Sequence, residues 1–349
     1  MSGIPVFSAG TSLQSSGVSV SAQIPADSAG MLPLFVRVTA TAAGYFRLSQ
    51  DGASASIGDL LIQPSDGLIL KTCGLSQFSF VSQSGASTVT VTPIDVGGTK
   101  YPTNIFTPAA LFTTGVNGAW YDPSDFSTLF QNAAGTVPVT AVGQPVGRIL
   151  DKSGNGNHAF NPSGNSANFP VLQQDGTGRY YLSFNGVNQW LQTNSIDFTY
   201  GDKMFVCAGV RKLSDATPQG IVELSLIADA NNGSFWVRRD YQYLVRSGGG
   251  YTAAFTDSVS APRTDVIALI ADLAAPLTRT RLNGVDGNTS ANPSNGGNFG
   301  NYPLYIGARA GTSLWFNGRL YGLVIAGKQA SASEITNTET WLNQKTGAY

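Results

Sequence analysis

The sequence predicts an all-β protein: a small N-terminal β-sandwich followed by a large C-terminal sandwich with short helices. Three observations point there. Short runs of alternating apolar and polar residues recur along the chain, separated by clusters rich in Gly, Asn, Ser and Pro. Helical periodicity is confined to two short stretches. Charged residues make up 12% of the 349 residues, while glycine alone numbers 41. That charged share is about half the usual one of roughly 25%, so hydroxyls and amides must supply most of the surface polarity.

The first unit covers residues 1–97, with strands expected at 18–23, 34–39, 44–48, 59–63, 67–71, 78–81 and 87–92. Seven short strands in so little chain suggest a sandwich. Within Ser87-Thr88-Val89-Thr90-Val91-Thr92 the valines point inward and the threonines outward, which predicts an edge or half-exposed position. A linker follows at 98–108, where prolines and a glycine pair break any period.

The second unit covers 109–349. Asp122-Pro123-Ser124-Asp125 places Pro at N1 and acid in the first turn of a short helix, with Phe126, Leu129 and Phe130 as its apolar stripe. Ten strands are then expected, at 179–184, 189–193, 204–210, 221–227, 234–238, 242–246, 266–271, 278–282, 304–307 and 314–325. Turn signals sit at Asn185-Gly186, Asn232-Gly233, Gly248, Asn283-Gly284 and Asn295-Gly296. In the last strand Leu320, Gly322 and Val324 share one face, and Tyr321 and Leu323 the other. The period then changes. Ser331 and Glu334 have capping-box spacing, Ile335, Trp341 and Leu342 form an apolar stripe, and Gly347 suits the C′ position, so a closing helix is expected over 331–346.

These endings carry a resemblance. Leu304-Tyr305-Ile306-Gly307-Ala308-Arg309, Phe316-Asn317-Gly318-Arg319-Leu320 and the helix ending Trp341-Leu342-Asn343-Gln344-Lys345 resemble the C-terminal end of concanavalin A-like (laminin G-like) jelly-roll domains. Upstream, Asp151-Lys152-Ser153-Gly154-Asn155-Gly156-Asn157-His158 is similar to the family's entry turn, and the segment 182–191 to its next strand pair. A further cassette, Gly118-Ala119-Trp120-Tyr121-Asp122-Pro123-Ser124-Asp125 with Pro138-Val139 and Gly143-Gln144-Pro145-Val146-Gly147, resembles one of tailed-bacteriophage virion proteins. The resemblance implies a virion surface protein made in the host cytoplasm, either a head decoration or head fibre or a receptor-binding tail protein. Its partners would be other virion proteins, with host-surface carbohydrate as a further ligand and a homo-oligomer, a trimer by analogy, as the assembly.

Composition and residue types narrow the chemistry. The formal net charge is −1 from 20 basic and 21 acidic residues, so no whole-chain field favours nucleic acid or an anionic membrane. The longest apolar run, 266–271, ends at Asp272, far short of the roughly 20 residues a membrane span needs. No basic and apolar leader opens the sequence. Cys73 and Cys207 both lie beside apolar runs and are expected as buried free thiols.

Glycoside hydrolysis ordinarily uses two carboxylates flanking the bond. Glu223, Glu334 and Glu339 are the only glutamates; the last two fall on the closing helix, and Glu223 reads as a solvated strand-face residue. No catalytic set is assigned, and the expectation is a non-enzyme, with a polysaccharide depolymerase as an alternative. His158, the sole histidine, sits in a turn-forming stretch. No cofactor is assigned, although the same stretch offers oxygen ligands to calcium and some laminin G-like relatives bind it. Sugar binding needs aromatic faces beside directed polar groups. Trp236, Arg238, Asp240, Tyr241 and Tyr243 supply that mixture and are the candidate glycan-binding residues.

Overall fold

The computed structural model describes residues 10–26, 31–64, 66–94, 101–102, 106–215, 219–227, 232–238, 243–247, 250–253, 260–275, 277–291 and 297–349. The chain is all-β apart from short helices, and it forms two compact units, Met1–Ile105 and Phe106–Tyr349.

In the first unit each of the seven predicted strands is present, and Thr11–Ser15 joins them. They make two four-stranded antiparallel sheets. One runs Thr11–Ser15, Ser87–Ile94, Phe35–Ala40, Leu68–Lys71; the other runs Val20–Gln23, Gln77–Ser82, Gly44–Ser49, Leu60–Ile62. Val36, Val38, Val89 and Val91 from the first sheet meet Phe46, Ile62, Phe78 and Phe80 from the second in one core. The strand at 87–94 is half-exposed as expected, but it lies between two neighbours rather than at an edge. Its threonine hydroxyls face outward on a central strand, and one of them, on Thr90, bonds Ser12. Cys73 departs from expectation: it is exposed, in a left-handed turn (φ 51°) just past the strand Leu68–Lys71. The turn ends the strand's alternation, so the apolar run before it does not fix the side chain's burial.

The second unit is a sandwich of a nine-stranded and an eight-stranded sheet, counted among the described residues. Leu191, Val222, Leu304 and Phe235 from the first and Leu182, Val206, Leu269 and Leu323 from the second interdigitate in its core. Strand Asn317–Ala326 lies inside the eight-stranded sheet, flanked by Tyr180–Asn185 and Lys203–Lys212, with Gly118–Tyr121 also pairing its end. The Asn283-Gly284 signal is realised as a two-residue turn with both φ positive (51° and 76°), the geometry that matches strand twist in a hairpin. The turns at Gly248 and Asn295-Gly296 lie outside the described residues, as do 98–100 and 103–105 of the proposed linker.

Two local readings change. The segment after Asp125 is a single 3₁₀ turn, Phe126–Thr128, capped by the Asp125 side chain. Leu129 and Phe130 are strand residues opposite Ile149 and Arg148. A two-turn helix has few hydrogen bonds to set against ladder pairing, so tertiary pairing wins. In the strand Asn317–Ala326 a bulge inserts Tyr321, because Val210 faces Leu320 while Gly209 faces Gly322. The bulge reverses the phase. Leu320 therefore enters the core between the sheets together with Leu323 and Ile325, while Val324 turns to the opposite side.

That opposite side receives the closing helix α1, Ala332–Thr346. Ser331 caps it, Glu334 completes the capping box, and Gly347 ends it in the left-handed conformation (φ 61°), as the sequence predicts. Ile335, Trp341 and Leu342 pack on Phe205, Cys207, Val266 and Val324, each such side chain contributing about 1.5–3 kcal/mol by burial. The facing pair Gly209 and Gly322 allows this approach. A Cβ at Gly322 would stand 2.8 Å from a Leu342 methyl, and one at Gly209 2.6 Å from Thr346.

The segment 118–125 serves the same joint. Trp120 meets Trp341 edge to face at 5.7 Å. Lys345 Nζ bonds Asp122 Oδ2 at 2.9 Å and Ser124 Oγ at 2.6 Å, and Lys152 pairs with Asp125. The role of that segment in this chain is structural: Asp122 holds the lysine of the last helical turn, where a cation also suits the helix dipole, and Asp125 holds Lys152. Glu339, 1% exposed, makes a forked ion pair with Arg281 across to the sheet.

Candidate functional site

With α1 covering the eight-stranded sheet, the outer face of the nine-stranded sheet is the one that presents a mixed row of side chains. Since the core takes Leu191, Ile306, Val222 and Val237, alternation sends their neighbours outward. Register places Phe160 opposite Gln192, Gln192 opposite Tyr305, Tyr305 opposite Glu223 and Glu223 opposite Trp236. One continuous row thus crosses five strands.

The loop at 307–316 folds over part of this row. Its anchor is Glu223, which is fully buried; the Ala310 amide donates to its Oε2 at 2.7 Å. The solvated position expected for Glu223 is corrected: the loop covers it, which alternation within a strand cannot reveal. Gly311 lies against the Trp190 ring, where a side chain would collide at 2.6 Å, and Gly220 leaves room for the Trp236 indole, whose Nε1 a Cβ would meet at 2.9 Å. Trp190 and Tyr305 stand tilted with ring centroids 6.1 Å apart. Burial, and then the Glu223 carboxylate, push the Tyr305 phenol above its ordinary range, so it remains a neutral hydroxyl donor.

The predicted glycan-binding residues divide. Trp236 belongs to the row but is 4% exposed. The Arg309 and Arg238 guanidinium carbons lie 4.6 Å and 5.3 Å from its ring centroid, so they, rather than a ligand, occupy its face. Arg238 is half-buried, at the end of the strand Ser234–Arg238. Tyr243 pairs through its backbone with Val237. Asp240 and Tyr241 lie outside the described residues. The half-exposed aromatics of the face are Phe160, Trp190 and Tyr305, none of them among the predicted glycan-binding residues, and Trp190 has the pattern of a core residue in the sequence. Period-two alternation in Leu304-Tyr305-Ile306 was the available signal for Tyr305, but nothing local said that its partner strands would align Phe160 and Glu223 with it.

The Asp151–His158 stretch is a bonded turn. Asp151 Oδ1 accepts the Trp120 and Ser153 amides, and its Oδ2 accepts Ser153 Oγ and the Asn157 amide, all at 2.7–3.0 Å. His158 Nδ1 accepts the Asp151 N–H at 3.0 Å. The Tyr121 hydroxyl donates to the Asn157 carbonyl, and burial, then the Asp151 charge, push that phenol well above its usual range. Both Asp151 oxygens are thereby engaged by four donors. Among the described residues no group of three or more His, Cys, Asp or Glu side chains gathers to hold a metal.

No protein-family model matches the chain, and no curated protein matches it. Solved structures do. The binding domain of botulinum neurotoxin serotype G is 14% identical, with a TM-score of 0.42 over 55% of this chain and 48% of its own. Domain 4 of AbnA, an extracellular arabinanase from Geobacillus stearothermophilus solved with arabinotriose, is 14% identical, with a TM-score of 0.43 over 63% of this chain and 97% of its own. The binding domain of botulinum neurotoxin DC, solved with rat synaptotagmin II, is 11% identical, with a TM-score of 0.41 over 56% and 49%. The match thus spans about half the length of the toxin domains. No residue role passes from these structures to this chain.

Proposed function

We propose that this chain is a non-enzymatic surface protein of a tailed-bacteriophage particle, a head decoration or head fibre, whose C-terminal sandwich adheres weakly to carbohydrate. The N-terminal sandwich serves as its docking module on other virion proteins. The observation that carries the carbohydrate reading is the outer row of the nine-stranded sheet. Half-exposed Trp190, Phe160 and Tyr305 offer stacking faces, and Gln192 with the Tyr305 hydroxyl offers directed hydrogen bonds. The phage reading rests on the cassette from Gly118 to Gly147. The non-enzyme reading is supported by the engagement of the best-placed acids: Glu223 is buried under a loop amide, and Asp122 and Asp151 are bonded into the fold. It needs no cofactor.

Two measurements test it. An antibody raised against this chain, imaged on purified particles, should label the head; labelling at the tail tip would favour the receptor-binding alternative, and no labelling would refute the virion assignment. Particles or purified chain should adsorb to host-surface polysaccharide without releasing reducing ends. Tyr305→Ala should weaken adsorption several-fold in a folded protein, and reducing-end release lost on changing a single aspartate would establish a depolymerase instead.

A further inference from the structure

Tyr200 is 92% exposed at one end of the second unit, in the turn between the strands Leu191–Asp197 and Lys203–Lys212. A ring with that exposure contributes almost nothing to the core, so its face is open to a ligand. It borders a shallow pocket of about 120 Å³, floored by the buried Phe198 and walled by Gly115, Gly201 and Gly327 together with Asn117 and Asp197. The glycine walls matter. A Cβ at Gly115 would meet nothing within 4 Å, and one at Gly201 nothing nearer than 3.8 Å, so the pocket is open at both places.

The polar groups are fixed before any ligand arrives. Asn117 Nδ2 donates to the Asp197 carbonyl at 2.6 Å, and its own carbonyl accepts the Gly327 amide at 2.8 Å. Asp197 Oδ1 accepts both the Thr199 amide and the Thr199 hydroxyl, at 2.9 and 2.6 Å. Those bonds hold the carboxyl below its usual range. Its Oδ2 has no hydrogen-bond partner among the described residues and is an acceptor that cannot donate. The Asn298 side chain pins the Thr199 carbonyl from the other side at 2.5 Å. An exposed ring beside a held carboxylate oxygen suits a sugar, which stacks its C–H face and donates hydroxyl protons.

Charge narrows the class further. Asp202 and Asp272 share Lys203, at 2.7 and 3.0 Å, and Lys328 beside the pocket is paired with Glu334. Asp197 therefore adds an unneutralised negative charge, and a sialylated or sulfated glycan would be repelled.

We propose that the Tyr200 pocket is a second carbohydrate subsite, selective for an uncharged pyranose with neighbouring hydroxyls. It rests on the reading of this chain as a glycan binder but uses none of the residues on the nine-stranded face.

The test is saturation-transfer NMR on the full chain with methyl β-galactopyranoside, methyl β-glucopyranoside and 3′-sialyllactose. At least one neutral glycoside should receive transfer that is weakened about five- to tenfold, as expected for loss of one stacked ring, in Tyr200→Ala. Gly201→Val, which fills the open wall, should remove the same Tyr200-dependent transfer, and the loss should recur on a Tyr305→Ala background, where the nine-stranded face is already weakened. Unfolding curves of Tyr200→Ala should superimpose on those of the parent, because the ring packs on nothing. Transfer that persists in both pocket variants but falls in Tyr305→Ala overturns this subsite and leaves the glycan-binding reading standing. No transfer to any of the three probes, with no adsorption to host polysaccharide, overturns both. Preference for 3′-sialyllactose at the pocket overturns the charge argument and with it the assignment of class.

Discussion

Replacing Glu339 with alanine should cost the second unit about 3 kcal/mol of stability. The carboxylate is 1% exposed and receives Arg281 Nε at 2.8 Å and its second nitrogen at 3.1 Å. Breaking a buried pair by removing one partner ordinarily costs about 3–5 kcal/mol, because the other charge is left behind. Here the abandoned guanidinium is itself 13% exposed and keeps Asp286 at 2.6 Å and the Gly284 carbonyl. The loss therefore belongs at the lower end of that range. Glu339→Gln, which retains one acceptor, should lose less, and Glu339→Leu with Arg281→Met should recover most of the stability, since it removes both charges at once.

All five tryptophans lie beyond residue 105, and Trp341 is two residues from the substitution on the same helix. Urea unfolding followed by tryptophan fluorescence thus reports the second unit without the first, which a two-unit protein otherwise confuses. Amide exchange over 332–346 should rise in Glu339→Ala as the helix loosens. A Glu339→Ala loss below about 1 kcal/mol, or a double variant no better than the single one, would refute the view that this pair locks the helix.

Three other outcomes are expected. Gly322→Val should destabilise by about 1–3 kcal/mol through overpacking, read as the same urea shift with helix-selective exchange, because its side chain meets Leu342 and Trp341. Ser331→Ala should cost about 1 kcal/mol, since the Ser331 hydroxyl accepts the Glu334 amide and the Glu334 carboxylate accepts the Ser331 amide. The third concerns pH. Burial, then the Arg148 charge, hold His158 below its usual value, and its Nδ1 is an acceptor. The unfolded chain therefore binds the extra proton first, so stability should fall as pH drops below about 6.5. His158→Gln should flatten that slope in thermal melts taken from neutral pH down to pH ~5, and an unchanged slope would discard the assignment.

What the amino-acid sequence determined by itself was local. Period-two alternation located seven strands of the first unit and ten of the second, Asn283-Gly284 placed a hairpin, and Ser331, Glu334 and Gly347 bounded the closing helix, because each of these signals acts within a few residues. Tertiary structure decided whatever depended on a distant partner. The bulge at Tyr321 exists through pairing with Gly209 and Val210, more than a hundred positions upstream, and it moved Val324 from one side of the sheet to the other. Leu129 and Phe130 became strand because Ile149 and Arg148 came to lie beside them. Alternation showed that Glu223 and Trp236 leave the core; it could not show that the loop at 307–316 would return to bury the one and lay a guanidinium on the other. Tyr200 is the reverse case, an aromatic that no neighbour covers. Burial is a property of what arrives over a residue from elsewhere in the chain, and a strand's own pattern carries no record of that arrival.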